Sequence, residues 1–370
     1  DRLYYLHRLA GTNFLTELEN NSFTSLVEKN TDLGTDGMHL PGDLFSTPNF
    51  ILEVDITKQI GADPIGGTAL NPTVSRNDPS TPGLDTNYLK FIGGEHIVLG
   101  GTDGNDTLIA DIGDDAVWGD GGNDRIEGGA GNDILVGGDG DDIITDSFGI
   151  DNIKGGAGND VLSAGAGTGD LVLAGDGNDF VVAGRDPKET FGGTGNDFIS
   201  AGDSADIVFG NEGDDWIEGG DQADLLQGDN GNPFQDSGVV GNDVIFGDGG
   251  NDDYDSESGD DIMVAGLGTE RFEGMLGFDW VTNKGDVAAD FDLFFTGLLP
   301  PDRDAIRDRF DLVEALSGGN AGDILRGDNR TAAELSAIDP TSGQNHALNN
   351  AAQVALIDGL QAILGGATTF

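Results

Sequence analysis

The chain contains no cysteine. Disulfides therefore cannot staple it, and any tie between distant segments has to come from packing or from bound ions. Basic residues are scarce, with 17 Lys and Arg against 68 Asp and Glu, for a formal net charge of -51 over 370 residues. That balance repels a phosphate backbone and excludes a nucleic-acid partner. It also makes the chain repel itself, so the ion-free chain is expected to be expanded. Only four histidines occur, His7, His39, His96 and His346, and none is paired with another. There is no H-E-x-x-H, G-x-S-x-G or Walker phrase. A zinc protease centre, a lipase-type serine centre and a phosphate loop are excluded, and no active site can be assigned in this chain. No apolar run approaches the ~18 residues a spanning helix needs, so no membrane span is expected. No signal peptide is visible at the N-terminus. Asp1 in place of Met reads as a processed chain or a piece of something larger.

What the chain has instead is glycine, 63 residues of it, arranged with a period. From Gly101 to Ser163 it reads GTDGNDTLI, ADIGDDAVW, GDGGNDRIE, GGAGNDILV, GGDGDDIIT, DSFGIDNIK and GGAGNDVLS. These are in-frame copies of one nine-residue phrase, G-G-x-G-x-D-x-U-x with U apolar, and weaker copies continue to Asp279. Glycine at positions one, two and four permits positive φ and a tight turn. The x-U-x triplet is a very short strand whose middle side chain points to one face. The inward set is Leu108, Val117, Ile126, Leu135, Ile144, Ile153, Leu162, Val172, Val181, Ile199, Val208, Ile217, Leu226, Ile245, Met263, Phe272 and Val281. A disordered Gly/Asp linker would have no need of an apolar residue two places after each Asp. Two consecutive phrases make one coil with a turn on each side, which predicts a mainly β chain built as a parallel β-roll solenoid.

In this arrangement the Asp at position six stacks over the Asp of the next coil. The candidate metal ligands are Asp106, Asp115, Asp124, Asp133, Asp142, Asp151, Asp160, Asp170, Asp179, Asp197, Asp206, Asp215, Asp224, Asp243, Asp252, Asp261 and Asp279. Carboxylates stacked about 4.8 Å apart repel each other. A hard cation that prefers oxygen, completed by turn carbonyls, resolves the repulsion. The phrase resembles the calcium-binding nonapeptide of repeats-in-toxin (RTX) proteins, over about half the chain. The resemblance implies calcium as cofactor, type I secretion machinery as partner, and a secreted, extracellular or cell-surface protein that folds on calcium outside the cell.

Counting two phrases at a time gives two rows of Asp. One holds Asp106, Asp124, Asp142, Asp160, Asp179, Asp197 and Asp215, interrupted by Pro233 before Asp252. The other holds Asp115, Asp133, Asp151 and Asp170, is interrupted by Lys188, then holds Asp206, Asp224, Asp243, Asp261 and Asp279. The gaps between neighbours predict roughly 13 calcium ions, about a dozen with imperfect ends. The Lys188 ammonium is expected to occupy the place of an ion. Asp pairs such as Asp114-Asp115, Asp141-Asp142 and Asp214-Asp215 belong to the phrase and not to acid/base chemistry, because position five often holds Asn or Asp.

The flanks differ in composition. In residues 1–55 glycine is sparse, and the spacing of Leu15, Leu18, Phe23, Leu26 and Val27 predicts a small α-helical segment. Asp1-Arg2-Leu3-Tyr4-Tyr5 and Ser25-Leu26-Val27-Glu28-Lys29-Asn30-Thr31 resemble phrases at the C-terminal end of animal-type haem peroxidases. The resemblance implies that haem could belong only to a domain upstream of Asp1, since that family's haem-ligating and catalytic residues have no match here. Residues 56–99 read as a connector and N-terminal cap, with strands at 50–54, 88–92 and 96–99. The roll is assigned to 100–283. Residues 284–330 read as a C-terminal cap, with Phe278, Trp280, Phe291, Phe294 and Phe295 closing the last core layer. The cap holds a short helix or turn in RDAIRDRFDLVEALSG and one isolated repeat carrying Asp323. Residues 331–370 end in an amphipathic helix that reads equally as a packing helix or a secretion signal.

The residues flanking each U point outward. One face collects Trp118, Val136, Lys154, Leu173, Phe191, Phe209, Gln227, Phe246 and Val264, joined by Ile134, Leu171, Ile207, Leu225, Val244, Ile262 and Trp280. So long an apolar stripe predicts a covered face, packed by the connector and C-terminal segment, by an upstream domain or by another copy. The opposite face, with Ile109, Glu127, Thr145, Ser163, Val182, Ser200, Glu218, Asp255 and Glu273, is expected to be mostly a solvated surface. Two functions stay open at this point. One is the C-terminal part of a secreted bacterial haem peroxidase-like protein, with the roll serving export and folding. The other is a non-enzymatic RTX adhesin or surface scaffold.

Overall fold

The computed structural model describes residues 50–54 as backbone, and residues 80, 87–92, 96–229, 241–283, 288–293 and 308–327. The expected helices of 1–55 and 331–370, and the peroxidase-like phrases, lie outside the described residues. Among the described residues every regular element is a strand, and no helix is long and apolar enough to cross a membrane. The chain divides into two units, Asp1–Thr190 and Phe191–Phe370.

In the first unit the strands alternate between two sheets. One sheet runs Phe50–Val54, His96–Gly100, Ala116–Gly121, Ile134–Asp139, Asn152–Ala157 and Asp170–Asp176. The other runs Tyr88–Lys90, Thr107–Ile112, Arg125–Ala130, Ile143–Thr145, Val161–Ser163 and Phe180–Val182. Neighbours are parallel and in register from one coil to the next, as in Leu108 beside Ile126 and Val117 beside Leu135. Leu108, Val117, Ile126, Leu135, Ile144, Ile153, Leu162, Val172 and Val181 are wholly buried, so the apolar residue of each phrase is the core. Phe50–Val54 alone pairs antiparallel, on His96–Gly100, and occupies the open edge of that sheet. The three strands expected ahead of the roll are therefore present. The extra residue before Asp170 is absorbed by a longer step, with Leu171 beside Asn152.

Glycine serves two purposes in the phrase, and only one of them is backbone freedom. At positions two and four it adopts positive φ, as at Gly138 (128°) and Gly140 (124°). At position one no positive φ is needed. There a Cβ on Gly137 would stand 2.1 Å from Asp142 Oδ2, so in this copy the carboxylate takes the space a side chain would need.

The second unit follows the same plan with larger excursions. One sheet runs Ile207–Glu212, Leu225–Gln227, Asp253–Asp255, Arg271–Glu273 and Arg309–Asp311. The other runs Phe198–Gly202, Trp216–Gly220, Val244–Phe246, Ile262–Ala265, Trp280–Asn283 and Ala315–Ser317. Here the spacing departs from the two-phrase count. Trp216 pairs with Val244, so the stretch containing Pro233 is an excursion within one long coil and not a phrase of its own. Pro233 itself lies outside the described residues.

Three expectations are corrected, the first of them by that excursion. First, every residue after it belongs to the sheet opposite the one counted. Phe246, Val264, Val244, Ile262 and Trp280 lie on the sheet of Glu218, while Asp255 and Glu273 continue the sheet of Gln227. The single apolar stripe is thereby divided between the two sheets. Second, the face expected to be solvated is exposed but is not uniformly polar. In the first unit Ile143, Val161 and Phe180 stand in one exposed column on it. Third, the roll does not stop at 283. The segment expected to be a helix or turn supplies Arg309–Asp311 and Ala315–Ser317, which extend both sheets. The isolated repeat pairs its strand Ile324–Arg326 with Asp290–Asp292. The reason is that x-U-x needs only a strand-forming triplet with an inward apolar residue, and Phe310 and Leu316 provide it without the glycines.

The core of the second unit also becomes aromatic. Tyr254, Phe272, Phe291 and Phe310 are buried, with ring centroids 4.6 Å apart for Tyr254–Phe272 and 5.2 Å for Phe272–Phe310. The buried Tyr254 hydroxyl accepts from Gly247 N at 2.8 Å and donates to Val264 O at 2.9 Å, so its polar end is satisfied. Phe278 and Phe291 are buried as expected of a closing layer, Trp280 is only half-buried beside the inward Val281, and Phe294 and Phe295 lie outside the described residues.

Candidate metal centre

Each position-six Asp sits at the end of a turn, just before a strand. It points inward because the apolar residue two places later does the same. In the first unit two rows result. Asp106, Asp124, Asp142 and Asp160 each donate a backbone N–H, at 2.7–2.8 Å, to Oδ1 of the next member, ending at Asp179. Asp115, Asp133 and Asp151 do the same at 2.8–2.9 Å, ending at Asp170. The expected rows are therefore present here residue by residue.

In the second unit the rows differ from the count. Asp197 is followed by Asp215, then Asp243, Asp261 and Asp279. Asp206 is followed by Asp224 and then Asp252. Asp243, Asp261 and Asp279 thus continue the row of Asp215, and no interruption separates Asp215 from its successor. The long coil after Trp216 is the cause, since it moves all later phrases across by one side.

All seventeen of these Asp residues are buried. One oxygen of each is engaged by the ladder or its surroundings; the other is the telling one. Oδ2 of Asp124, Asp142, Asp160, Asp215, Asp224 and Asp252 is buried with no hydrogen-bond partner. Burial is the leading cause that pushes their carboxyls up, to about 8 for Asp124 and Asp215, about 7 for Asp160 and Asp224, and about 6 for Asp142 and Asp252. Neighbouring carboxylates of the same row add to it in Asp124, Asp160, Asp215 and Asp224. Native interiors rarely leave so many acceptors unmet. Such a column fits a row of hard cations bound by oxygen.

Lys188 stands at position six of its phrase and carries the opposite charge. It is buried, and its Nζ lies 3.0 Å from Asp170 Oδ2. The same Nζ donates to the turn carbonyls of Gly167 at 3.3 Å and Asp186 at 3.2 Å. One ammonium is surrounded by a carboxylate and turn carbonyls, the oxygen set a divalent cation would use.

Position five explains the Asp pairs. Its side chains form a second, exposed ladder running the other way, as when Asn159 N donates to Asp141 Oδ1 at 2.9 Å and Asn178 N to Asn159 Oδ1 at 2.9 Å. Position five accepts outside while position six accepts inside, so no acid/base pair is formed.

Several acidic residues of the same geometry were missed by the strict phrase. Glu270 holds position six and donates its N–H to Asp308 Oδ1 at 3.1 Å. Asp279 N donates to Glu314 Oε2 at 3.1 Å. Asp323, expected in the ligand position of the isolated repeat, accepts from Ala289 N at 2.8 Å. The signal was an acidic residue two places before an inward apolar one, in Glu270–Phe272, Asp308–Phe310 and Glu314–Leu316, without the glycines. Asp146, at position one, and Asp229 are buried as well; their signal was an acidic residue where the phrase wants glycine.

The family model of the RTX calcium-binding nonapeptide repeat matches residues 100–135, 136–171, 191–217, 201–234 and 237–263. No curated protein matches the chain. The matched residues begin at 100, well after the peroxidase-like phrases. The chain carries RTX calcium-binding repeats folded as a parallel β-solenoid with coils of about 18 residues.

Proposed function

We propose that this region is a calcium-driven folding module of a secreted protein. The observation that carries the reading is the column of buried, unmet Asp Oδ2 atoms, whose like charges cannot face one another bare. The ligands would be the position-six carboxylates of both rows, with turn carbonyls from positions one to four. About a dozen ions would fill them, at the 10⁻⁴–10⁻³ M affinities usual for extracellular modules. Bound calcium supplies positive charge and oxygen coordination. The chain supplies the rest: carboxylates fixed by the N–H ladder, glycines that leave room for them, and an apolar ladder that closes once the repulsion is relieved. Where calcium is scarce, a chain of charge -51 stays expanded, a state suited to threading through a type I exporter. In millimolar calcium outside the cell it closes.

Circular dichroism of the chelator-stripped chain, titrated with calcium, tests this. Strand signal should appear on addition and vanish with chelator; strand signal indifferent to chelator would sink the proposal. The phrases Asp1–Tyr5 and Ser25–Thr31 extend the reading to a haem peroxidase-like parent, and absence of a Soret band in a longer protein that includes the upstream sequence would remove that extension.

A further inference from the structure

In the first unit, one gap between position-six residues is unlike its neighbours. Position one of the phrase is glycine, alanine or serine at every other described copy from Gly101 to Gly274, but it is Asp146 in DSFGIDNIK. Its side chain follows the inward Ile144 by two places, so it enters the interior beneath the turn. There it meets Asp151 of its own phrase and Asp133 of the coil before. One carboxylate oxygen from each of the three lies within 4.8 Å of the others, and all three residues are buried. In the adjoining gaps position one is Gly128 and Ala164, which add no ligand.

The seat for this extra carboxylate is built. Gly129 N donates to Asp146 Oδ1 at 2.9 Å and fixes the side chain. A Cβ on Gly128 would stand 2.4 Å from Asp146 Oδ1 and 2.7 Å from Asp133 Oδ2, so the absence of a side chain there admits both groups. What is left over is Oδ2 of Asp133, Asp146 and Asp151, each buried and without a hydrogen-bond partner. Ionised carboxylates accept only, and cannot satisfy one another.

We propose that Asp146 is an additional calcium ligand, making the gap between Asp133 and Asp151 a three-carboxylate site that fills before the others. The inference rests on the calcium reading above and deepens it. Oxygen-only donors select a hard cation, and ligand charge count is a main determinant of calcium affinity in such sites. A first ion here fixes three consecutive phrases, because Asp133 and Asp151 lie one coil apart and Asp146 opens the phrase that carries Asp151 at position six. Closure of the neighbouring coils then starts from an ordered template.

The test is a calcium titration of the chelator-stripped full chain, read by calorimetry and by circular dichroism, for the natural sequence, Asp146→Gly, Asp146→Asn and Asp114→Asn. Asp146→Gly restores the phrase, Asp146→Asn keeps the shape, and Asp114→Asn removes one exposed charge from the position-five ladder. The natural chain should show one leading site roughly tenfold or more tighter than the remainder. Both Asp146 variants should lose that site, keep the later ones, and need more calcium to gain strand signal. Asp114→Asn should keep it. Superimposable isotherms for the natural and Asp146 chains, with calcium still bound, would overturn the role of Asp146 alone. A chain that takes up no calcium in any form would instead overturn the proposed function beneath it.

Discussion

From Leu108 to Val181 the inward ladder of the first unit is aliphatic, and each coil is nearly the same as the last. The second unit begins in the same way and then loses glycines, lengthens its coils and replaces aliphatic side chains by Tyr254, Phe272 and Phe310. The difference identifies what holds each kind of coil. Two aliphatic side chains per coil are a small favourable contribution beside the entropy of ordering all the residues of two phrases. Such coils need the turns neutralised. An aromatic stack buries far more apolar area per coil and has its own geometry, so coils around Phe272 tolerate Glu270 where the phrase wants Asp. The first unit should be the more dependent on ions, and the second the more dependent on its core.

Graded chelation is the strongest way to break this comparison, since it acts on every turn at once. As calcium is withdrawn, far-ultraviolet strand signal should fall steeply, while near-ultraviolet signal from Tyr254 and its neighbours should be the last to go. Simultaneous loss of both would mean the aromatic coils are no more self-sufficient than the aliphatic ones.

Acidity offers a second route, through the same carboxyls. In the ion-free fold burial raises Asp124 and Asp151 to about 8, Asp133 and Asp160 to about 7, and Asp142 and Asp179 to about 6. The ordinary value of 3.8 applies when the chain is open. A raised folded value means that the protonated carboxyl favours the fold. That contribution is fully present below pH 3.8, falls as pH rises above it, and is gone once pH passes the folded values of about 6 to about 8. Calcium-free chain should therefore gain strand signal on acidification towards pH 4 and lose it on return to pH 8. Calcium binding near pH 7 should release protons. A calcium-free chain equally unfolded at pH 4 and pH 8 would contradict the assignment.

Much of this is legible in the sequence. A nine-residue period fixes coil length, sheet alternation and the inward residue, and the first unit follows it row by row. Legibility fails where one symbol carries too much weight. Counting by whole phrases requires the stretch after Gly228 to be a phrase, whereas an excursion of any length costs a solenoid little, because loop closure grows only slowly with length. Treating glycine as the marker of the roll hides Arg309–Asp311 and Ala315–Ser317, where the inward Phe310 and Leu316 persist without it. Asp146 escapes notice because it breaks the pattern, though a charged residue at an inward position has to be met by something.

A core substitution sharpens the comparison within the second unit. Phe272 touches Tyr254, Phe291 and Phe310. Phe272→Ala should destabilise that unit by about 3–5 kcal/mol, and saturating calcium should not restore it, because the loss is of packing and not of charge. Thermal unfolding followed in the near ultraviolet at high calcium measures this. Recovery of the natural midpoint by calcium would place the stability of these coils in their turns after all.

The smallest effect separates two adjacent residues of the first unit, Asn159 and Asp160. Asn159 belongs to the exposed ladder, where its side-chain oxygen accepts from Asn178 N and its own N–H donates to Asp141. Water can replace that acceptor, so Asn159→Ala should cost under about 1 kcal/mol and leave the calcium midpoint of folding unchanged. Asp160 accepts from Asp142 N in the buried row. Asp160→Ala strands that N–H away from water and removes a carboxylate from two gaps, so the midpoint should move to higher calcium. Measured side by side, the pair isolates burial as the variable, since both residues sit in the same turn and both accept a backbone N–H from a neighbouring coil. Equal shifts for both variants would mean that the outer ladder, and not the inner row, sets the response to calcium.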